Sequence, residues 1–427
     1  MNTLIDDLFQ FLRSSPTAWH CVANTTKTLT AQGFVEINEK DLWNLQPGGK
    51  YVVNRNGSSL CAFTLPKISP SRCTLLAAHT DSPALKLKPN AEFRVNNMIM
   101  LGVEVYGSPL LNSWLNRGLG IAGRITVATG AGKIESRLVS LTDHPVTIPQ
   151  LAIHLDRDVN TKGLILNKQD HLSALAALDS DLKEACYLET VLKSYVKGDT
   201  LLDTELFLYP LAKPRYVGFQ KELFTSYRID NLGSVHAAVQ ALLTANATPQ
   251  NSIRMIMLWD NEEIGSETAQ GAASPFLSDV LERACLSINM NREAYLRLIT
   301  ESLCVSIDMA HALHPNYTGA HEPHHQPLLS RGIVLKNNAQ QRYASNAATS
   351  AAVVHACHQQ QLELQKYVVR SDMPCGSTIG PIHASRTGMP TVDIGYPQLS
   401  MHSARELASC QDHLSMCQLL KALLEAR

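Results

Sequence analysis

Beyond Asp230 the chain alternates short β-rich runs with helical stretches, and this alternation restricts the fold more than any other feature of the sequence. A helix is predicted over about 232–245, a strand over 252–259, and helices near 274–287 and 291–300. A strand follows at 303–308, an alanine-rich helix at about 344–362, strands near 366–370 and 391–395, and a last helix at about 404–425. Strands that alternate with helices argue for a mostly parallel sheet covered on both faces. Ahead of this region, helices are expected at 2–14 and 16–32, the second opened by Ser15-Pro16 and closed by Gly33. Short strands are then expected at 51–53, 60–65 and 73–78. Between about 91 and 224 the texture changes: runs at 103–106, 121–127 and 136–139 resemble strands separated by glycine or polar turns, with few convincing helices. A length of 427 residues exceeds a minimal single core. The expected fold is therefore a three-layer α/β/α domain in two pieces, 1–90 and 225–427, with a β-rich domain inserted over 91–224.

Composition excludes several partners. Hydrophobic residues make up 45% and charged residues 18%, as in an ordinary globular protein with a sizeable core. A net charge of −1 gives no reason to expect nucleic acid or an anionic membrane as partner. No stretch approaches 18 uninterrupted apolar residues, so no membrane span is expected. The ten cysteines contain no C-x-x-C and several sit in apolar runs, which reads as buried thiols in a reducing compartment. With early acids and no basic-then-apolar signal at the N-terminus, a cytoplasmic location is expected.

Acids and histidines recur at the ends of the predicted strands. The apolar run 252–259 is followed by Asp260-Asn261-Glu262-Glu263. Neighbouring residues leaving a strand point in different directions, so one glutamate can bind a metal while the other serves as general base. Strand 73–78 runs into His79-Thr80-Asp81; imidazole suits zinc, and an acid two residues on can fix its tautomer. Asp230 precedes a helix, where it reads as an N-cap or as a carboxylate bridging two cations. Strand 303–308 ends on Asp308, and His402 lies in the loop expected to enter the last helix. Each alone has an ordinary reading as a polar strand end or cap. Together, two histidines and three carboxylates plus a spare glutamate, each at or near a strand–helix junction, match a dinuclear zinc hydrolase.

The chain resembles the aspartyl aminopeptidase family of dinuclear-zinc exopeptidases. The resemblance is carried by Ala78-His79-Thr80-Asp81-Ser82-Pro83, Arg228-Ile229-Asp230-Asn231-Leu232, Asp260-Asn261-Glu262-Glu263-Ile264-Gly265-Ser266 and Asp308-Met309-Ala310-His311. It continues through Gln341-Arg342-Tyr343-Ala344, Pro374-Cys375-Gly376-Ser377 and Gln398-Leu399-Ser400-Met401-His402-Ser403, in family order over almost the whole chain. It implies that His79 and Asp308 hold one zinc and Glu263 and His402 the other, with Asp230 bridging. Asp81 would orient His79, and Glu262 would draw a proton from the metal-bridging water and deliver it to the leaving amine. Cobalt or manganese would also accept this donor set. The implied activity is removal of N-terminal Asp or Glu from peptides, with Lys336 and His311 on the substrate side. The resemblance further implies a homo-oligomer, a dodecamer built from dimers, in which His154 reaches a neighbouring subunit's site. The alternatives are a dinuclear aminopeptidase of broader or neutral specificity, and a catalytically silent oligomeric scaffold.

Three other patterns carry less. Gly118-Leu-Gly120-Ile-Ala-Gly123 matches a dinucleotide fingerprint as a string, but no buried strand leads into it. Cys375 reads as a small buried residue at a tight turn rather than a nucleophile. The histidines at 311, 314, 321, 324 and 325 read as an ordered loop.

Overall fold

The computed structural model describes residues 3–182, 185–246 and 251–426. Asn2, where the first helix is predicted to begin, lies outside them, as do the other residues beyond these ranges that the expected domains enclose. The chain divides into two compact units, Met1–Asp81 with Pro214–Met401 and Glu406–Arg427, and Ser82–Lys213 with His402–Arg405.

The first unit is built on a nine-stranded sheet whose strands, in chain order, are β1 (Val35–Ile37), β2 (Lys50–Arg55), β3 (Ser59–Thr64), β4 (Arg72–His79), β5 (Ser252–Trp259), β6 (Leu303–Ile307), β7 (Ile333–Lys336), β8 (Leu364–Tyr367) and β9 (Thr391–Gly395). Their order across the sheet is β1-β2-β3-β5-β4-β6-β9-β7-β8. The central strands β5, β4, β6 and β9 all run parallel. Antiparallel pairing is confined to β2–β3, β3–β5 and β7–β9.

Side chains of a strand alternate between faces, and here both faces are apolar. Val52, Leu60, Ala62, Leu76, Ala78, Ile256, Leu258, Val305 and Ile307 share one core with Leu8, Leu29, Val235, Val353 and Leu420. Those partners come from helices Thr3–Ser14, Ala18–Ala31, Ile229–Thr244, Ala347–Gln360 and Cys410–Glu425. The intervening residues Val53, Cys61, Phe63, Leu75, Ala77, Met255 and Met257 face Phe276, Leu281, Leu298 and Ile379, from helices Phe276–Ser287, Arg292–Glu301 and Ile379–Thr387. The result is three layers, α/β/α.

Two departures from expectation stand out. The last helix starts at Cys410, not 404, because Glu406–Ser409 is a strand pairing with both Leu223–Ser226 and Pro397–Leu399. Those three strands, with Arg215–Val217 and Ala310–His311, form a second, five-stranded sheet. Helix Ile379–Thr387 had no counterpart in the sequence reading; the Thr378 hydroxyl accepts from the Gly380 N–H at its start.

The second unit is a six-stranded antiparallel sheet, ordered Ile134–Val146, Leu119–Ala128, Thr200–Pro210, Ala84–Val95, Met98–Tyr106, Ala174–Leu178. It also holds a ten-residue helix, Tyr187–Val196, whose first amides at Tyr187 and Leu188 donate to the Glu92 carboxylate. Of the glycine string, Gly120 and Gly123 lie in the antiparallel strand Leu119–Ala128 and the string does not precede a helix. A Cβ on Gly123 would sit 1.9 Å from the Glu205 carbonyl oxygen and one on Gly120 2.7 Å from the Tyr209 ring, so close cross-strand approach accounts for both glycines.

Candidate metal centre

Three neighbouring parallel strands deliver the site. β4 ends at His79, β5 at Trp259 and β6 at Ile307, with Trp259 opposite His79 and Ser306 opposite Ala77. Asp308 therefore lies level with His79. The loop after β4 is tied to the end of β5 by the Thr80 N–H, which donates to the Trp259 carbonyl at 2.7 Å.

Asp230 comes from the start of helix Ile229–Thr244, where Asp230 (φ −82°, ψ 106°) and Asn231 (φ −122°, ψ 21°) are both non-helical and Arg228 just ahead is at φ 65°. The Asn231 amide donates to the Ile307 carbonyl at 2.8 Å and the Arg228 guanidinium donates to the Thr80 carbonyl. These bonds fix the helix start against the ends of β4 and β6.

The resulting geometry is tight. His79 Nε2 lies 3.5 Å from Asp230 Oδ1, 3.7 Å from Asp308 Oδ1 and 4.0 Å from Glu262 Oε2. On the other side of the ring, His79 Nδ1 is 3.4 Å from Asp81 Oδ1. Asp81 also accepts the Glu262 N–H on Oδ1 at 3.2 Å and the Glu263 N–H on Oδ2 at 3.1 Å. Donor atoms of His79, Asp230 and Asp308 all fall within 4.8 Å of one another, as do those of His79, Glu262 and Glu263. Asp230 and Glu263 also present donors within 4.8 Å of each other.

Donors about 2.0–2.2 Å from a tetrahedral zinc lie about 3.3–3.6 Å apart; the His79–Asp230 spacing of 3.5 Å falls in that range and the His79–Asp308 spacing of 3.7 Å lies just beyond it. The charge balance fits as well. His79 is 1% exposed, Asp81 4% and Asp230 3%, so several carboxylates crowd one imidazole away from water. Burial pushes the Glu262 carboxyl up to about 8; His79 opposes the shift, while Asp308, Asp81 and Asp230 add to it. Burial works against a charged His79, yet hydrogen bonds to Asp230, Asp308 and Asp81 carry it well above its ordinary value. A divalent cation relieves this excess of negative charge directly.

The remaining predicted residues fall in different places. Lys336, at the end of β7, is buried with Nζ 3.5 Å from Asp308 Oδ2 and 5.4 Å from the centre of the Tyr343 ring. His311 is exposed on Ala310–His311, its ring edge-on to Tyr367 at 5.8 Å. His402 belongs to the second unit, between Pro397–Leu399 and Glu406–Ser409 rather than at a helix entrance. Its Nδ1 lies 3.1 Å from the Ser108 carbonyl oxygen, a contact that selects the tautomer with a lone pair on Nε2. His154 is exposed in a turn, where Ala152 accepts from the Leu155 and Asp156 amides. Arg228 and Tyr343 have evident positioning roles that sequence reasoning left unassigned, although both lie within the quoted motifs.

The competing patterns resolve as structural. The Cys375 thiol is half-buried and pushed up by burial, away from a reactive thiolate. His321 accepts the His314 amide, and His325 pairs with Glu322 at 2.5 Å. All ten cysteines are free. Among the described residues no helix is long and apolar enough to cross a membrane.

The chain is similar to known proteins over nearly its whole length. Residues 11–424 match the aminopeptidase I zinc metalloprotease (M18) family. A Pseudomonas aeruginosa protein named "Probable M18 family aminopeptidase 2" is 42% identical over 422 residues, covering 97% of this chain and 96% of that one. A Ricinus communis protein named "Probable aspartyl aminopeptidase" is 37% identical, covering 98% and 94%. Among solved structures, Ape4 in its complex with Nbr1 superposes with a TM-score of 0.95 at 35% identity, over 99% of this chain and 85% of that one. Yeast aminopeptidase 1 superposes at 0.85 with 26% identity, over 98% and 95%. With its three-layer fold and its cluster of histidine and carboxylate donors, the chain belongs to the M18 family of zinc aminopeptidases.

Proposed function

We propose that this aminopeptidase removes N-terminal aspartate or glutamate from peptides, using two metal ions. His79 and Asp308 would hold one ion and Glu263 and His402 the other, with Asp230 available to both; zinc is the expected metal, with cobalt or manganese compatible. Bound ions supply Lewis acidity to the scissile carbonyl and make water acidic enough to attack near neutral pH. Glu262 takes the proton of the attacking water and returns it to the departing amine. Asp81 holds His79 in one tautomer from behind.

The acidic preference rests on Lys336. A buried ammonium beside Asp308 is costly unless charge-paired, and a substrate side-chain carboxylate is a second partner for it. The name of the Ricinus relative supports this reading. His311 lies on the substrate side in the same proposal.

The working form is a cytoplasmic homo-oligomer in which His154 completes a neighbour's site. Leu151, Ile153, Leu155 and Ile165 are all exposed, which favours burial against another copy. A relative at 27% identity, S. cerevisiae mApe1, is described as a dodecamer.

The decisive measurement is kcat/KM on Asp-, Glu-, Leu- and Ala-aminoacyl substrates. Leucine turning over faster than both acids overturns the acidic assignment. In parallel, Glu262→Gln is expected to retain zinc while losing about 10²–10⁴-fold in kcat; wild type that retains metal yet cleaves no peptide points to a scaffold.

A further inference from the structure

A second cluster of metal-type donors lies in the helical layer, on residues that the catalytic proposal does not use. His236 on helix Ile229–Thr244 faces His413 and Cys417, one turn apart on helix Cys410–Glu425. All three are buried, with His236 3%, His413 0% and Cys417 9% exposed. His236 Nδ1 lies 3.0 Å from His413 Nε2, and Cys417 Sγ lies 3.6 Å from the same nitrogen. The three donor atoms sit within 4.8 Å of one another.

The orientation of His236 is set from outside. Its Nε2 lies 3.0 Å from Asp7 Oδ2, on helix Thr3–Ser14, and the Gln240 amide donates to that same oxygen at 2.8 Å. A carboxylate acceptor at Nε2 holds the proton there, which turns the Nδ1 lone pair toward His413 and Cys417. Carboxylate–histidine pairs of this kind stand behind protein zinc ligands. With Zn–N about 2.0–2.1 Å and Zn–S about 2.3 Å, tetrahedral coordination needs N···N about 3.3 Å and N···S about 3.6 Å. The Cys417–His413 spacing meets this, and the two rings need to separate by only about 0.3 Å.

We propose that His236, His413 and Cys417 form a structural site for a soft d¹⁰ cation, zinc in the first instance, with Asp7 orienting His236. Binding exchanges the Cys417 thiol proton, released to solvent, for a metal–sulfur bond. Bound metal then cross-links the C-terminal helix to the helix that begins with Asp230. The competing arrangement is a metal-free hydrogen-bonded chain from Asp7 through both histidines.

Sulfur distinguishes the two, because the catalytic donor set contains none. Full-length protein reconstituted with excess Co²⁺ is expected to show a sulfur-to-cobalt charge-transfer band in the near ultraviolet. That band disappears in Cys417→Ser and persists in Cys186→Ser. Elemental analysis of zinc-loaded protein is expected to give one ion fewer per subunit in Cys417→Ser than in wild type, whatever number the catalytic centre holds. Wild type that shows no sulfur band and the same zinc content as Cys417→Ser overturns the site and leaves the catalytic reading intact. Should Cys417→Ser fail to fold, the wild-type cobalt spectrum and its loss in His413→Asn decide the matter.

Discussion

Replacing Asp81 with asparagine is expected to weaken zinc binding and turnover together, since this carboxylate touches three parts of the centre. Its Oδ1 accepts the Glu262 amide and lies 3.4 Å from His79 Nδ1, and its Oδ2 accepts the Glu263 amide. Asparagine offers only one acceptor oxygen. Its NH₂ group must face either the Glu263 N–H or the Glu262 N–H together with the imidazole, leaving at least one buried donor unsatisfied at about 1–3 kcal/mol. What remains on the oxygen becomes neutral rather than charge-assisted, a further loss of about 1 kcal/mol. The sum, about 2–4 kcal/mol, corresponds to roughly 30- to 1000-fold if expressed wholly in the site, and loss of a partner behind a metal ligand costs about 10–100-fold in metal affinity. The assay is a zinc titration against a fluorescent chelator, with kcat measured at saturating zinc. Affinity should fall at least tenfold, and kcat at saturation should stay depressed because Glu262 has lost its backbone anchor. If affinity and kcat both stay within twofold of wild type, Asp81 neither orients His79 nor positions Glu262, and the reasoning fails.

Three further outcomes follow from the same coordinates. Lys336→Met removes the buried ammonium, so kcat/KM for Asp and Glu substrates should drop about 10–100-fold, the worth of a charged hydrogen bond, with leucine nearly unaffected; equal losses on all substrates would refute a specificity role. Gly395→Ala places a Cβ 2.0 Å from the Asp308 carbonyl oxygen; overpacking of about 1–3 kcal/mol should appear as a lower Tm and weaker zinc binding, and an unchanged Tm would count against it. His383 accepts from Trp259 Nε1 at 2.6 Å, and burial pushes its pKa down from 6.5 to about 4. The unfolded chain thus binds the extra proton between pH 6.5 and 4, so stability from this group is present above 6.5 and lost as pH falls through 4. Urea unfolding should report about 3 kcal/mol lost by pH 4, with a flatter slope in His383→Asn.

The legible parts of the fold were those whose signal is local. β5 was predicted at its observed bounds because Ser252–Trp259 is an unbroken buried run between polar turns. His79 and Asp308 were legible for the same reason, since each ends or follows such a run. Pairing that depends on a distant partner was not. Glu406–Ser409 is a strand because Leu223–Ser226 and Pro397–Leu399 flank it, and no periodicity within 404–425 reports that. The burial of Lys336 and the exposure of His154 are likewise tertiary facts, and both sit in apolar runs that look alike in sequence. Lys336 ends β7, which is paired on both sides by β9 and β8, whereas His154 sits in a turn.

Why one glutamate of the pair can be base and the other a metal ligand follows from where the strand stops. β4 lies between β5 and β6, all three parallel, so their carboxyl ends lie side by side about 4.8 Å apart. His79 and Asp308 stand level there, within a step of the sheet, and their directions are set by it. Glu262 and Glu263 come later, on the short 3₁₀ turn Glu262–Ile264, after the chain has reversed at Asn261 with φ 61°. That conformation is tolerated by asparagine far better than by a β-branched residue, and the Asn261 side chain secures it by accepting from Thr268 and Gln270. On such a turn, successive side chains diverge instead of alternating across a sheet. Asp81 holds both backbone amides of the pair on its two oxygens, and this fixes the turn without consuming either glutamate carboxylate. The acids are therefore positioned through their backbones, and their side chains remain available for two different tasks.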